Sequence, residues 1–294
     1  MNLNMNEVRR LVTATLAEDI GAGDVTSNAV VPEGAQAAAF FVSRGEGVLA
    51  GLPVAQEVFA QVSSHCRFTP LAVEGALLSR GARIARVEGP ARALLAGERV
   101  ALNFLQRLSG IATLTRHCVE AVRGREVVIL DTRKTTPLLR HLEKYAVTVG
   151  GGRNHRFGLY DQVLIKDNHL HMLLPQATGL PQAVALAVRL AREKVAKEML
   201  VEVETENLAM VEAAIAATAD IILLDNMTPD QMALAARRVR EARGKTGRKF
   251  PITEASGGIT MEKLAQVAAT GVDAISLGAL THSAPALDIA LDFS

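Results

Sequence analysis

Basic side chains are concentrated between Asp131 and His169, beside glycines and a short apolar run. They include Arg133, Lys134, Arg153, His155, Arg156 and Lys166. Adjacent cations that follow a buried strand repel each other and lose hydration unless an anion lies between them. Arginine forks bind carboxylates through paired hydrogen bonds, and a lysine adds a point charge. The segment therefore predicts a pocket for a strongly anionic ligand, and a dicarboxylic acid matches it best.

The same segment also has a structural interpretation. Thr136 suits the N-cap of a helix, Pro137 suits its first turn, and Gly150 suits its end. Apolar residues at helical spacing between them give this predicted helix a buried face. The helix leaves the adjacent cations Arg133 and Lys134 unexplained, so we favour an anion pocket that precedes a helix.

Two acidic residues, Glu204 and Asp225, end apolar runs that are neighbours along the chain. Carboxylates in such positions often cap helices, and Asp225 could cap a helix that begins near Thr228. Carboxylates are also acceptors for sugar hydroxyls and ligands for Mg²⁺. Beside so many cations, we favour the ligand-binding interpretation.

Glycine-rich turns follow the last two apolar runs, at 255–259 (ASGGI) and 277–283 (LGALTHS). Each is compatible with a plain tight turn. Backbone N–H groups in such turns, together with a helix N-terminus, bind phosphate in many α/β barrels. Because two such turns occur in succession, we predict a phosphate site.

Six short apolar runs alternate with helical patterns in the second part of the chain. They lie at 127–130, 163–165, 199–203, 220–224, 251–255 and 274–277. This alternation predicts a parallel sheet, closed into a barrel that resembles the TIM type. The polar residues described above follow these runs, so they would lie at the C-terminal mouth, where barrel enzymes bind substrates.

The region before the barrel reads as a smaller α+β domain. Apolar spacing predicts an opening helix at 5–18, and a long helix at 91–122 is expected to bend near Ser109 and Gly110. Hydrophobic residues make up 49% of the chain and aromatic residues only 3%, as expected for helices packed on buried strands. The composition therefore favours an α/β class.

Charge and cysteine content restrict the function further. A formal net charge of +1 argues against a nucleic-acid-binding footprint spread over the whole surface, so basic clusters must be interpreted locally. Cys66 and Cys118 lack a metal-binding spacing and suit a reducing compartment. We find neither a signal-peptide pattern nor an apolar run of about 18 residues, so we expect a cytoplasmic protein that is not membrane-bound.

Several motifs together resemble the quinolinate phosphoribosyltransferase family. They are EDIGAGDVTS, ERVALNFLQRLSGIAT, DTRKT, GGGRNHRFGLYDQVLIKDNH, VEVE, LLDN, SGGI and LGALTHS, and they occur in this order over nearly the whole chain. The resemblance implies an incomplete parallel α/β barrel (TIM-like) at 113–283. It also implies an N-terminal α+β open-faced sandwich domain at 1–112, which the tail at 284–294 joins.

The resemblance implies transfer of a phosphoribosyl group from phosphoribosyl pyrophosphate to quinolinate. Decarboxylation would give nicotinate mononucleotide, a precursor of NAD, with release of pyrophosphate and CO₂. It also implies a homodimer with shared active sites, or a larger assembly of dimers, in which Arg99 reaches the neighbouring subunit's barrel. Lys134, Glu204 and Asp225 would be catalytic, and Glu204 and Asp225 would bind Mg²⁺ directly or through water.

The substrate-binding residues implied by the resemblance fall into three groups. Residues near the quinolinate carboxylates would be Arg99, Thr132, Arg133, His155, Arg156 and Lys166, with Lys134 between the two substrates. Glu204 and Asp225 would lie near the ribose. The 5-phosphate would be bound by Ser256, Gly257, Gly258, Gly278, Ala279 and His282.

Two alternatives remain open at this point. One is a pyrophosphorylase of the same fold that acts on a different acceptor, against which the intact RNHR and KDNH motifs argue. The other is a non-catalytic barrel that binds an anionic metabolite. Such a sensor would not need the acidic pair, which is retained here.

Overall fold

The computed structural model describes residues 3–247 and 249–294; Met1 and Asn2, at the start of the predicted first domain, lie outside this part. The α-helices are α1 (Met5–Ile20), α2 (Val25–Val30), α3 (Leu52–Val62), α4 (Ala91–Ala121), α5 (Arg140–Val149), α6 (Asp167–Leu173), α7 (Leu180–Lys194), α8 (Leu208–Ala216), α9 (Pro229–Thr246), α10 (Met261–Ala269) and α11 (Ala279–His282). The strands are β1 (Gln36–Ser43), β2 (Gly47–Val48), β3 (Arg67–Pro70), β4 (Leu77–Leu78), β5 (Arg83–Pro90), β6 (Val128–Leu130), β7 (Val163–Ile165), β8 (Val201–Thr205), β9 (Ile221–Asp225), β10 (Ile252–Ser256), β11 (Ala274–Ser276) and β12 (Ile289–Phe293).

Two compact units divide the chain. The first contains Met1–His117, Lys134–Gly152 and Ala279–Ser294, and the second contains Cys118–Arg133 and Arg153–Gly278. The predicted domains, 1–112 with 284–294 and 113–283, divide the chain differently, because the segment 134–152 falls in the first unit. Each unit contains one of the two main sheets.

The first unit contains a four-stranded sheet in the order β12-β1-β5-β3. All three strand pairings are antiparallel, and β12 pairs with β1 from Ala39 opposite Phe293 to Ser43 opposite Ile289. Helix α1 forms as predicted and buries one side, at Val8, Leu11, Val12 and Leu16. This unit is the predicted α+β sandwich.

The long helix α4 runs without a break through Ser109 and Gly110, and the bend expected there stays a prediction. Gly110 allows a close backbone approach. A Cβ atom at this position would collide with the carbonyl oxygen of Pro285, in the segment that leads to β12. The glycine is needed for packing, because α4 retains its helical conformation through this position.

The predicted helix start at Thr136 and Pro137 is wrong, because α5 begins at Arg140. Leu138 has a positive φ of 66°, which a right-handed helix cannot contain. The Thr136 N–H and Oγ both donate to the buried carboxylate of Glu143, at 3.0 and 2.8 Å. A tertiary contact with this carboxylate therefore holds Thr136 outside the helix.

The second unit contains a six-stranded sheet in the order β6-β11-β10-β9-β8-β7. Every pairing in this sheet is parallel, and the six strands match the six predicted runs to within two residues at each end. In the described residues, the edge strands β6 and β7 are not ladder partners, although Leu130 forms an isolated bridge with Arg153. This arrangement is the predicted incomplete barrel. No helix of the described part of the chain combines the length and hydropathy that crossing a membrane requires.

Candidate active site

The mouth of the second unit brings together most of the predicted polar residues. Because the six strands are parallel, their carboxyl ends lie at one edge of the sheet. Thr132 and Arg133 follow β6, and Lys166 follows β7. Glu204 lies in β8, while Asp225 and Ser256 end β9 and β10 in register with each other.

Arg133 and Arg156 form the cationic side of this mouth. Burial lowers the pKa of the Arg156 guanidinium, which is only 9% exposed, and the positive charge of Arg133 lowers it further. The carboxylates of Glu202, Asp161 and Glu204 act in the opposite direction. Two guanidinium groups that repel each other in a partly buried place favour the binding of an anion.

Lys166 and Glu204 connect the cationic side with the acidic side. The Lys166 Nζ lies 2.5 Å from Glu204 Oε1. Glu204 Oε2 accepts the N–H of Asp167, the first residue of α6, at 3.2 Å. Glu204 therefore binds a helix N-terminus, as the structural interpretation expects, and also carries the counter-charge of a lysine at the mouth.

Asp225 is the second carboxylate of the mouth. Burial raises its pKa, and the negative charge of Glu204 raises it further. Thr228, rather than Asp225, caps α9, because the Thr228 side chain accepts the N–H of Gln231. Asp225 therefore has no role as a helix cap. Two half-buried carboxylates that repel each other are a chemically suitable pair for a divalent cation.

The glycine turn after β10 lies directly against Asp225. Gly257 and Gly258 have φ angles of 86° and 60°. A Cβ atom on Gly257 would lie 2.8 Å from Asp225 Oδ1 and would collide with Asn226 Oδ1. Glycine is required at 257 for both reasons, and the turn leaves its backbone close to the acidic pair.

The loop that carries Arg156 is fixed by buried acceptors. Asp131, fully buried, accepts the Asn154 side-chain amide at 2.6 Å and the N–H of His155 at 2.9 Å. The carboxylate of Asp161 accepts the N–H groups of Phe157 and Gly158 at 2.6 and 2.9 Å. The RNHR segment is therefore a shaped loop in this structure.

Buried acidic residues that the sequence interpretation did not select lie beside the His155 ring. The His155 Nε2 is 3.1 Å from Glu202 Oε2 and 3.5 Å from Glu254 Oε1. Burial, followed by the charge of Glu202, raises the pKa of Glu254 to about 8. The three side chains place potential metal-ligating atoms within 4.8 Å of one another, but a protonated Glu254 is a poor cation ligand at neutral pH. An acid inside an apolar strand was the signal that could have identified them.

Family comparisons account for nearly the whole chain. Residues 24–109 match the family model for the N-terminal domain of quinolinate phosphoribosyl transferase, and residues 111–292 match the model for its C-terminal domain. The chain belongs to the quinolinate phosphoribosyl transferase family.

Relatives in this family resemble the chain over its full length. A probable nicotinate-nucleotide pyrophosphorylase (carboxylating) of Bacillus subtilis is 44% identical over 99% of this chain and 94% of its own. The nicotinate-nucleotide pyrophosphorylase (carboxylating) of Mycobacterium leprae is 43% identical, covering 97% of this chain and 96% of its own. The solved nicotinate-nucleotide pyrophosphorylase of Francisella tularensis superposes with a TM-score of 0.89 at 37% identity, over 100% of this chain and 98% of its own.

The remaining predicted residues of this family member lie at the unit boundaries or in the first unit. Gly278 ends the second unit, while Arg99, Lys134, Ala279 and His282 belong to the first. Arg99 is exposed on α4, and Ala279 and His282 begin and end α11. The Thr281 hydroxyl donates to the carbonyl oxygen of Lys134 at 2.8 Å. Within the first unit, α11 therefore holds the backbone of Lys134.

Proposed function

We propose that this protein transfers the phosphoribosyl group of phosphoribosyl pyrophosphate to quinolinate and releases pyrophosphate and CO₂. The product is nicotinate mononucleotide, so the reaction serves NAD biosynthesis. Family membership supports the reaction class. One structural observation carries the proposal: a cationic group and an acidic pair share the mouth of one parallel sheet, joined by the ion pair between Lys166 and Glu204.

The cationic side suits the acceptor. Quinolinate has two adjacent carboxylates on its pyridine ring, and Arg133, Arg156 and Lys166 supply two guanidinium forks and one ammonium group. Paired hydrogen bonds to the carboxylates would offset the repulsion between the two arginines. Nicotinate has a single carboxylate and would leave part of this charge unmatched, so we expect it to be a poor acceptor.

The acidic side suits the donor. Glu204 and Asp225 would accept hydrogen bonds from the ribose hydroxyls. The turn at Ser256, Gly257 and Gly258 would bind the 5-phosphate through backbone N–H groups, together with Gly278, Ala279 and His282. Mg²⁺ bound by Glu204 and Asp225, directly or through water, would supply positive charge beside the leaving pyrophosphate. Lys134 would lie between the two substrates and stabilise the departing negative charge.

The chemistry then requires mainly positioning and charge. The pyridine nitrogen forms a bond to C1 of the ribose as the bond from C1 to pyrophosphate breaks, through a transition state with oxocarbenium character. The positive ring nitrogen then stabilises the electron pair that remains on C2 when the neighbouring carboxylate leaves as CO₂. That electron pair takes up a proton, which completes nicotinate mononucleotide.

An activity assay tests the proposal directly. Protein incubated with quinolinate, phosphoribosyl pyrophosphate and Mg²⁺ should produce equal amounts of CO₂ and nicotinate mononucleotide, measured from carboxyl-labelled quinolinate and by chromatography. Nicotinate is the matched control acceptor and should react far more slowly. Efficient turnover of nicotinate, or no turnover of quinolinate, would reject the proposed acceptor.

We also infer a homodimer in which the partner subunit's Arg99 completes the acceptor site. The support is the family resemblance together with the exposure of Arg99 on α4. Arg99→Ala protein mixed with Lys166→Ala protein should regain activity after subunit exchange, because a heterodimer then contains one site with both residues intact. Each variant alone should stay inactive, and a mixture with no regained activity after proven exchange would contradict a shared site.

A further inference from the structure

Glu202 lies one layer below the mouth of the sheet. It precedes Glu204 by two positions on β8, so both side chains point to the same face of the sheet. Glu204 is half-buried at the mouth, whereas Glu202 is fully buried. A fully buried carboxylate is costly unless it receives hydrogen bonds, so the groups that donate to Glu202 identify what it does.

His155 is the first of these groups, and both of its ring nitrogens are engaged by the protein. Its Nδ1 accepts the N–H of Arg156 at 2.7 Å, so the ring proton is on Nε2. That Nε2 lies 3.1 Å from Glu202 Oε2, and the His155 side chain is only 9% exposed. In this arrangement the ring links Glu202 to the backbone of Arg156.

Gln162 provides a second connection to Arg156. The side-chain amide of Gln162 donates to Glu202 Oε2 at 2.6 Å. The backbone carbonyl oxygen of Gln162 accepts a hydrogen bond from Arg156 Nη1 at 3.1 Å. Glu202 therefore holds the backbone of Arg156 through His155 and its guanidinium through Gln162. Two connections from a single carboxylate oxygen therefore reach both ends of a long, flexible side chain.

We propose that Glu202 is a positioning residue that orients Arg156 toward the acceptor carboxylates through His155 and Gln162. This inference rests on the proposed function, since it assumes that Arg156 binds the acceptor. According to this proposal, His155 affects binding of the acceptor indirectly, because its ring helps to position Arg156.

The charge of Glu202 supports this role. Arg156 is a nearly buried cation whose charged form is disfavoured by burial and by Arg133, and the negative charge of Glu202 partly offsets both effects. Glu202 thus provides hydrogen-bond geometry and a counter-charge at a place that solvent does not reach.

Equilibrium binding separates this role from a general loss of structure. Calorimetric titration with quinolinate should show about thirtyfold weaker binding for Glu202→Leu, which removes the acceptor oxygens. Glu202→Gln keeps one acceptor oxygen and should lose about fivefold, as should Gln162→Met, which keeps the Gln162 backbone carbonyl. Binding of phosphoribosyl pyrophosphate with Mg²⁺ should change by less than about twofold in all three variants.

The matched control is Glu212→Gln, an exposed glutamate on α8 that should bind both substrates as the wild type does. Quinolinate binding by Glu202→Leu within twofold of the wild type would overturn the proposal. A loss that is equal for both substrates would also overturn it, because that result is expected from a purely structural role.

A measurement on the wild type depends neither on activity nor on a Glu202 variant that folds. Nitrogen-15 NMR of labelled protein, with His155→Gln used for assignment, should show the tautomer that carries its proton on Nε2. A proton on Nδ1 would overturn the proposal even in a fully active enzyme. Conversely, absence of quinolinate turnover with the expected tautomer present would reject the proposed function and leave this hydrogen-bond arrangement intact.

Discussion

Glu202 and Glu204 are the same residue type two positions apart on β8, but their surroundings differ. Glu204 lies at the mouth and forms an ion pair with Lys166, whereas Glu202 is fully buried and receives hydrogen bonds from Gln162 and the His155 ring. The mouth layer, formed by Arg133, Arg156, Lys166, Glu204 and Asp225, consists of groups that a ligand can contact directly. The buried layer, formed by Asp131, Glu202 and Glu254, consists of groups whose hydrogen bonds must persist. We therefore expect mutations in the mouth layer to alter binding and chemistry directly. Mutations in the buried layer should alter stability and loop geometry, and through Arg156 the binding of the acceptor.

The largest effect is expected from a cation of the mouth layer. Arg133→Ala should reduce transition-state stabilisation by about 2 to 4 kcal/mol, as for loss of one preorganised electrostatic donor. The measurement is kcat/KM for quinolinate, and Arg189→Ala, an exposed arginine on α7, is the control. A kcat/KM for Arg133→Ala equal to that of the control would remove Arg133 from the site.

The pH dependence of stability tests the buried layer at Glu254. Its pKa is raised to about 8, mainly by burial and then by Glu202, with His155 acting in the opposite direction and Asp131 adding to the increase. The unfolded state therefore ionises first, and the wild type loses stability relative to Glu254→Gln as pH rises from about 4.5 to 8. At pH 7 this difference is on the order of 3 kcal/mol. Free energies of unfolding should be measured by urea titration at several pH values. The difference in favour of Glu254→Gln should increase up to about pH 8 and stay constant above it. If Glu212→Gln produced the same pH-dependent difference, the effect would not come from Glu254.

Gly257 tests how closely the turn must approach the acidic pair. Gly257→Ala should destabilise the protein by about 1 to 2 kcal/mol from its positive φ alone, and more from the contact with Asn226. Gly81→Ala is the matched control, because Gly81 has a φ of 85° but no atom within 4 Å of the added Cβ. Only Gly257→Ala should also raise the KM for phosphoribosyl pyrophosphate. An equal KM in both variants would place the turn away from the donor.

The smallest expected effect concerns the ion pair at the mouth. Glu204→Gln releases Lys166, so quinolinate alone should bind about two- to fivefold more tightly, the range expected for removal of an exposed competing ion pair. At the same time kcat should fall, because Glu204 also serves the donor. Calorimetry and steady-state kinetics measure the two effects separately. Weaker quinolinate binding by Glu204→Gln would show that Lys166 does not need to leave Glu204 for the acceptor.

The barrel and its mouth could be predicted from the sequence because both depend on local patterns. Short apolar runs that alternate with helices require a parallel sheet, and the residue after each strand lies at the mouth whatever the details of packing. In the structure Lys166 follows β7 directly, and Asp225 and Ser256 are the last residues of β9 and β10, so all three lie at the mouth as this rule requires.

The errors and omissions depend on contacts between distant residues. The start of α5 was misplaced because Thr136 binds Glu143 and Leu138 adopts a positive φ, and neither is visible in helix propensities. Glu202 and Glu254 were missed because Gln162 and His155, the residues that link them to the mouth, are separated from them by 40 residues or more along the chain. The roles of Arg99, Lys134 and His282 came from family resemblance alone and stay predictions.

Strand β12 has a consequence for synthesis of the chain. It pairs with β1, so the sheet of the first unit joins residues near position 40 to residues near position 290. The second unit, which ends at Gly278, is available for folding before residue 293 leaves the ribosome. The pairing of β12 with β1 must therefore wait for the last part of the chain, and until then that side of β1 is an unpaired sheet edge.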